Sequence, residues 1–560
     1  NVATRQLVFT NASCFDVSAI TGLLTKKARA KLTNISWQQP PVLEVGGSLV
    51  LPGWTNPPPD WIGTVRPGVC LHGSLAVTNI TVAGLTLQSA RTEFVYSNQV
   101  WHLPDLELIR DRTWLAADGW LDEVTQQFHS RVWGTFDPVV MRPYLPEHVR
   151  ETELDEMTFN QPLRLDVMVN GRLPDWRSLG VDGQVSLTNY VIRGQAVGEV
   201  TGELNYTNLL LELLHPHLRT GSQTMTADRV ALDFRNRLIL FDHGLATTDP
   251  ESLALAIGPK TGEFLEPYHF LSPPTARVNG HIPLMAMHGP DDMKDVDLRF
   301  DIVRGVPFHW LKLNTSKLEG TVHWLGPTLI LTNLTALAYC GTASGYAVFD
   351  FLAKHMGADY DFSATVTNLN LHDLVADIGS ATNKLEGRLS GHLMVTNASS
   401  ESLESWNGYG AARLQDGLIW DIPVFGIISP VLNTFSPGLG NSRATDATAR
   451  FIITNGVIYT DSLEIQAQMM RLQYVGTAGL NQKVNARVTA QLLRDTWVVG
   501  PLISTVLFPV SKLLEYHVTG TLADPKTEPL YVPKLFLMPL HPIRSLEEML
   551  PGETNAVPGG

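Results

Sequence analysis

Cysteine is almost absent. Three residues, Cys14, Cys70 and Cys340, are spread over 560. The odd count excludes a complete disulfide framework, and no CxxC or other metal-ligand spacing joins them. They are expected as buried small apolar groups. Cationic charge is also short: 41 Lys plus Arg stand against 55 Asp plus Glu, a net charge of −14. That balance leaves no excess of cations to displace counterions, so a nucleic-acid partner is not expected. Long apolar runs are lacking as well. The longest, Trp497 to Val510, falls short of the ~20 residues of a membrane-spanning helix and carries Pro501 and Pro509. The chain begins at Asn1 rather than Met, as after removal or excision of an N-terminal segment, and a membrane anchor is expected only ahead of that residue.

Catalytic signatures are missing too. The sequence contains no GxSxG, no HExxH, no phosphate-cradling glycine loop and no EF-hand loop. His215-Pro216-His217 has no third ligand nearby and reads as surface loop. Asp291, Asp292, Asp295 and Asp297 lack the spaced glycine of a calcium loop and read as a solvated turn. No metal, no cofactor and no enzymatic activity are expected.

What is present is strand code. Apolar residues make up 44% of the chain, enough for an extensive buried surface and too many for wholesale disorder. Leu463, Ile465, Ala467 and Met469 interleave with Glu464, Gln466 and Gln468. Val484, Ala486, Val488, Ala490 and Leu492 interleave with Asn485, Arg487, Thr489 and Gln491, and Val230, Leu232 and Phe234 repeat the pattern. A period of two with one apolar and one wet face predicts antiparallel sheet. Thr-Asn recurs where such runs end, at Asn11, Asn34, Asn79, Asn189, Asn208, Asn333, Asn368, Asn397 and Asn455. Thr suits the strand and Asn tolerates a left-handed backbone, so a degenerate meander of hairpins is expected. The N-x-Ser/Thr frames at Asn11, Asn79 and Asn333 follow from that composition rather than from glycosylation. Gly341 to Gly345 interrupts a strand pattern and predicts a turn or bulge.

Helical spacing is rare and late. Leu371, Leu374, Val375 and Ile378 make one short amphipathic turn. In 422–435, Val424, Ile428, Val431 and Phe435 share a face, with Asp421 placed as an N-cap and Pro423 in the first turn. In 498–515, Val499, Leu502, Ile503, Val506, Leu507, Val510, Leu513 and Leu514 form one stripe, with Ser504, Ser511, Lys512 and Glu515 opposite. Beyond Asp524 the chain turns proline-rich, and 531–560 reads as a tail with a short helix at Leu546 to Leu550.

A long sheet with one apolar face has three solutions: cover it with a second sheet, close it into a barrel, or curl it and leave an apolar groove. An exposed groove needs a partner, and acyl chains fit because each buried methylene contributes roughly 0.8 kcal/mol without directional bonds.

One block helps to choose. "FIITNGVIYTDSLEIQAQMMRLQYVGTAGLNQKVNARVTAQL" (451–492) resembles the block of AsmA-like proteins of the Gram-negative envelope, through Asn455, Gly456, Val457, Thr460, Gly476 and Gly479. Upstream, "LNLHDLVADI", "KLEGRLSGHL" and "WNGYGAARLQDGLIWDIPVFG" follow that family's order of short helix, Gly-rich hairpin and Asp-Gly turn before an apolar helix. "YHVTGTLADPKTEP" (516–529) resembles its closing strand. The resemblance covers roughly 318–530, is weaker across the repeated hairpins before it, and fits least in the Trp- and Pro-containing 1–150.

The resemblance implies a mostly β protein: a long twisted antiparallel sheet curled into an open hydrophobic groove, related to bridge-like lipid-transfer proteins. It also implies an inner-membrane anchor outside this chain, a place in the periplasm, phospholipid as cargo, and the outer membrane or its proteins at the C-terminal end. The expected organisation is a hairpin groove over 1–317, an AsmA-like region over 318–530 with helices near 371–378, 422–435 and 498–515, and the tail at 531–560. Leu463, Ile465, Ala467, Met469, Val484, Ala486, Val488 and Ala490 are expected to line the groove. Val499, Leu502, Ile503, Val506, Leu507 and Val510 are expected to plug its end rather than lie on a bilayer, since Lys512 is the one cation of that helix. The rival reading is a secreted β-sandwich or solenoid that binds glycans or proteins with its apolar faces covered.

Overall fold

The computed structural model describes residues 3–14, 35–53, 63, 65–82, 84–140, 157–192, 194–257, 262, 265, 268–285, 290–310, 312–351, 357–378, 382–419, 423–426, 443–467, 470–492 and 514–531. The described chain is mostly β. Its 31 strands form an antiparallel sheet in which successive strands generally pair with one another. Two compact units divide it: residues 1–266 with 273–300, and 267–272 with 301–560. The division falls near residue 300, whereas the family resemblance placed the change of character near 318.

Tight turns explain the meander. Ser97 pairs with Val100, Thr207 with Leu210, Ala338 with Gly341 and Thr454 with Val457. Each pair brackets two residues of positive φ: Asn98-Gln99, Asn208-Leu209, Tyr339-Cys340 and Asn455-Gly456. Two left-handed residues match the twist of the flanking strands, which makes these the favoured two-residue hairpins.

The Thr-Asn pairs do more than end strands. Asn79, Asn189, Asn208, Asn333, Asn368, Asn397 and Asn455 all have φ between 49° and 60°. Only Asn208 and Asn455 sit in hairpin turns; the other five lie inside strands. Asn333 and Asn368 fall where the pairing register shifts, between Leu331 and Leu334 and between Val366 and Leu369. A left-handed residue at a bulge bends its strand and adds twist. Side chains of adjacent strands accept the backbone N–H groups displaced there: Asn368 N–H donates to Ser390 Oγ at 2.9 Å and Asn397 N–H to Asp361 Oδ1 at 2.6 Å.

Helices are few. Leu371–Ile378 forms as expected, capped by Asn370 Oδ1, which accepts from His372 N at 3.0 Å. Of the expected 422–435 helix, the described part is Pro423–Gly426. The helix at 498–515 lies outside the described residues except at its end, where the expectation fails: Leu514 and Glu515 open the strand Leu514–Thr521 and pair with Ala490 and Thr489. The sequence did not signal the helix Pro250–Ile257. Nor are the two cysteines with described side chains buried. Cys340 is exposed at the second turn position of its hairpin, and Cys70 is exposed at the start of Cys70–Val82; Cys14's side chain lies outside the described residues. The turn at 339–340 precedes Gly341, so Gly341–Asp350 runs on as a strand.

Candidate functional site

Residues directly opposite one another in adjacent strands share a face, and alternate residues along each strand keep it. In the first unit this rule traces one row over ten strands: Leu106, Ala117, Val132, Val167, Gly183, Leu204, Leu213, Val230, Phe241 and Gly280. A second row follows Leu108, Leu115, Gly134, Leu165, Val185 and Gly202. A third follows Gly119, Ser130, Val169, Val181, Tyr206, Leu211, Leu232, Ile239 and Ile282. None of the three contains a charge.

Their burial is unusual for an apolar face. In the longest row Val167, at 5% exposure, is the one buried member, and the other nine are half-buried. A face covered by a second sheet would bury such residues almost completely. Gly183 and Gly280 hold places in this row where a Cβ would lie 2.2 Å from Asp166 O and 1.9 Å from Asp297 O. With φ of 149° and 122° as well, these positions admit glycine alone, and such glycines coil a sheet locally.

The opposite face of the same strands is polar. Asp118, Arg131, Met168, Asp182, Asn205 and Glu212 stand opposite one another there. Arg131 makes a two-nitrogen contact with Asp166, at 2.9 and 2.8 Å, while its guanidinium lies 5.4 Å from the centre of the Trp133 ring. Arg229 bridges Glu212 and Asp242 at 2.6 and 2.7 Å. Exposed pairs of this kind add little stability, but they mark the wetted side.

The second unit carries a corresponding row with a different fate. Leu369, Leu389, Leu414, Ala447, Ile465, Leu472, Ala490 and Leu514 are opposite one another on eight strands. Ile465, Leu472, Ala490 and Leu514 are 0–2% exposed, in a cluster with Met470, Tyr474, Val488 and Val518. Phe425 packs edge-on against Tyr474 at 5.4 Å, and Leu371 also joins the cluster. Burial pushes the Tyr474 phenol well above its ordinary pKa. Farther from the cluster the face loosens: Gly345, Ala364, Leu393 and Phe451 are half-buried. The outer face here is less polar than in the first unit, with Tyr409, Ile452 and Tyr459 opposite one another and exposed.

Of the residues expected to line a groove, Ile465, Ala467, Val484, Val488 and Ala490 lie within that closed cluster. Leu463 and Ala486 are partly buried against it. Met469 lies outside the described residues, as do Val499, Leu502, Ile503, Val506, Leu507 and Val510. Of the first unit's rows, sequence reasoning named Val230 and Leu232 and missed the rest. Their signal was available in alternations such as Leu163, Leu165, Val167 and Val169, but pairing is needed to join them across strands.

Among the described residues no group of three or more His, Cys, Asp or Glu is arranged to hold a metal ion. His215 and His217 are exposed on one strand, and Asp291, Asp292 and Asp295 belong to a short 3-10 turn. No helix among the described residues is long and apolar enough to cross a membrane. Comparison with family models, curated proteins and solved structures returned no match. The site is therefore defined by its surface: three continuous apolar rows that hold no charge and are incompletely covered.

Proposed function

We propose that this protein binds phospholipid acyl chains along the apolar face of its first unit and supports their movement between the inner and outer membranes of a Gram-negative envelope. It would do so as a non-enzymatic member of the AsmA-like group that its C-terminal third resembles. It would work in the periplasm, held at the inner membrane by a segment outside residues 1–560.

The observation that carries this reading is the half-exposure of a ten-strand apolar row without a charge. Soluble proteins rarely leave contiguous apolar surface of that extent without a partner. Acyl chains are flexible, need no hydrogen bonds, and gain roughly 25 cal/mol for each Å² removed from water. A sandwich or solenoid that binds glycans would instead bury the same row beneath a second layer.

Purification without detergent from a Gram-negative host, followed by mass spectrometry of extracted lipid, tests the proposal. Phospholipid in the purified protein is the expected result. Lipid-free protein that also takes up none from vesicles would overturn it.

A further inference from the structure

We infer that Arg110 is a contact for the phosphate of a phospholipid whose chains lie on the first unit's apolar face. The inference rests on the acyl-chain reading and adds to it a headgroup site. Arg110 closes the strand Val100–Arg110 and stands opposite Thr113. It alternates with Leu106 and Leu108, so it shares their face, while Ile109 and Trp114 form the exposed pair on the other side. Arg110 therefore places a cation at a strand end of this face, where the other cation nearby, Arg66, is paired with Glu123 beside Tyr96.

Its guanidinium is incompletely satisfied. Nη1 is buried and without a hydrogen-bond partner among the described residues. The one ion pair of Arg110 among the described residues, Nε to Asp111 Oδ2, is long at 3.7 Å, and Asp111 is 75% exposed, so the charge is hardly neutralised. The Arg110 side chain remains 34% exposed, leaving room for a ligand at its open edge. A buried donor without a partner is rare in folded proteins; Nη1 is closed to solvent, so an arriving acceptor meets the exposed edge of the same guanidinium. A phosphate meets a guanidinium with two parallel hydrogen bonds, a geometry a lysine cannot reproduce. A lipid with its chains on Leu106 and Leu108 would bring its phosphate to this strand end, where its headgroup stays in water.

The test compares the 560-residue chain with Arg110→Gln and, as a control, Arg164→Gln, an exposed cation beside Leu165 on the opposite face. Each is titrated with tail-labelled phosphatidylglycerol, with diacylglycerol carrying the same tails, and with inorganic phosphate. Arg110→Gln is expected to weaken phosphatidylglycerol on the order of tenfold, the loss of one charge-assisted contact, and to leave diacylglycerol unchanged. Arg164→Gln should change neither. Equal phosphatidylglycerol binding by wild type and Arg110→Gln overturns the headgroup contact while leaving the acyl-chain reading intact. A parallel loss of diacylglycerol in Arg110→Gln overturns it too, since a headgroup contact spares that ligand. Arg110-dependent binding of inorganic phosphate without a matching lipid effect makes the source a free anion and likewise defeats the proposal. Failure of wild type to bind either lipid defeats the acyl-chain reading and the headgroup contact together.

Discussion

The row through Leu204 and Leu213 and the row through Ile465 and Leu472 are written in the same alternating code, yet only one is closed. In the first unit every member of the ten-strand row except Val167 stays half-buried. In the second, Leu472 and Leu514 reach 0% exposure, with Phe425 and Leu371 packed on the cluster. Alternation states that a face is apolar and says nothing about what lies over it. Two jobs are thereby separated. The closed cluster resembles an ordinary core, where each side chain contributes stability, while the open face contributes less to folding and leaves free energy for a ligand.

Substitution with aspartate sharpens that contrast. Val488 is 1% exposed inside the cluster. Val488→Asp buries an unpaired carboxyl or forces it to bind a proton, and should destabilise the second unit by about 4 kcal/mol. Chemical denaturation would show a large loss of midpoint. Leu213→Asp places the same charge on the half-exposed row, where water still reaches it, and should cost about 1 kcal/mol. Its larger effect should be on bound phospholipid, whose amount per protein should fall severalfold. Equal stability losses at the two positions would show that the first unit's face is also a closed core.

The strands, their antiparallel pairing and the left-handed Asn residues were legible from the sequence, because period-two alternation and Asn after Thr are local signals with local causes. Burial was not. The residues chosen for a groove, Ile465 to Ala490, were the most regular alternations in the chain, and regularity follows equally from a covered face. Cys340 was misread because its exposure is set by a hairpin whose central pair is Tyr-Cys, not the Asn-Gly or Asp-Gly that usually announces such a turn. The Pro250–Ile257 helix gave too short a pattern to stand out beside strand-like neighbours. Arg110 carried no signal at all, since its meaning depends on which face it shares.

The smallest expected effect belongs to the wetted side, which should influence neither the closed core nor the open face. Glu464 alternates with Leu463 and Ile465 and points away from the cluster. Arg471 forms an ion pair with it, and Gln466 Nε2 donates to Glu464 Oε1 at 2.7 Å. The hydrogen bond from Arg471 holds the Glu464 carboxyl below its ordinary pKa, against an opposing push from partial burial. A carboxyl whose pKa is lowered by folding releases its proton more readily in the folded state. Its stabilisation is present at pH values above the unfolded-state pKa of about 4.3 and is lost as the pH falls through the lower, folded value. Glu464→Gln should therefore cost a little stability at pH 7, within the 0–1 kcal/mol typical of surface pairs. The difference from wild type should shrink as the pH falls through the lowered folded-state value, while phospholipid occupancy at pH 7 stays unchanged. Melting curves of both proteins across that range check it. A gap that widens on acidification would mean that the Arg471 contact does not hold Glu464 ionised.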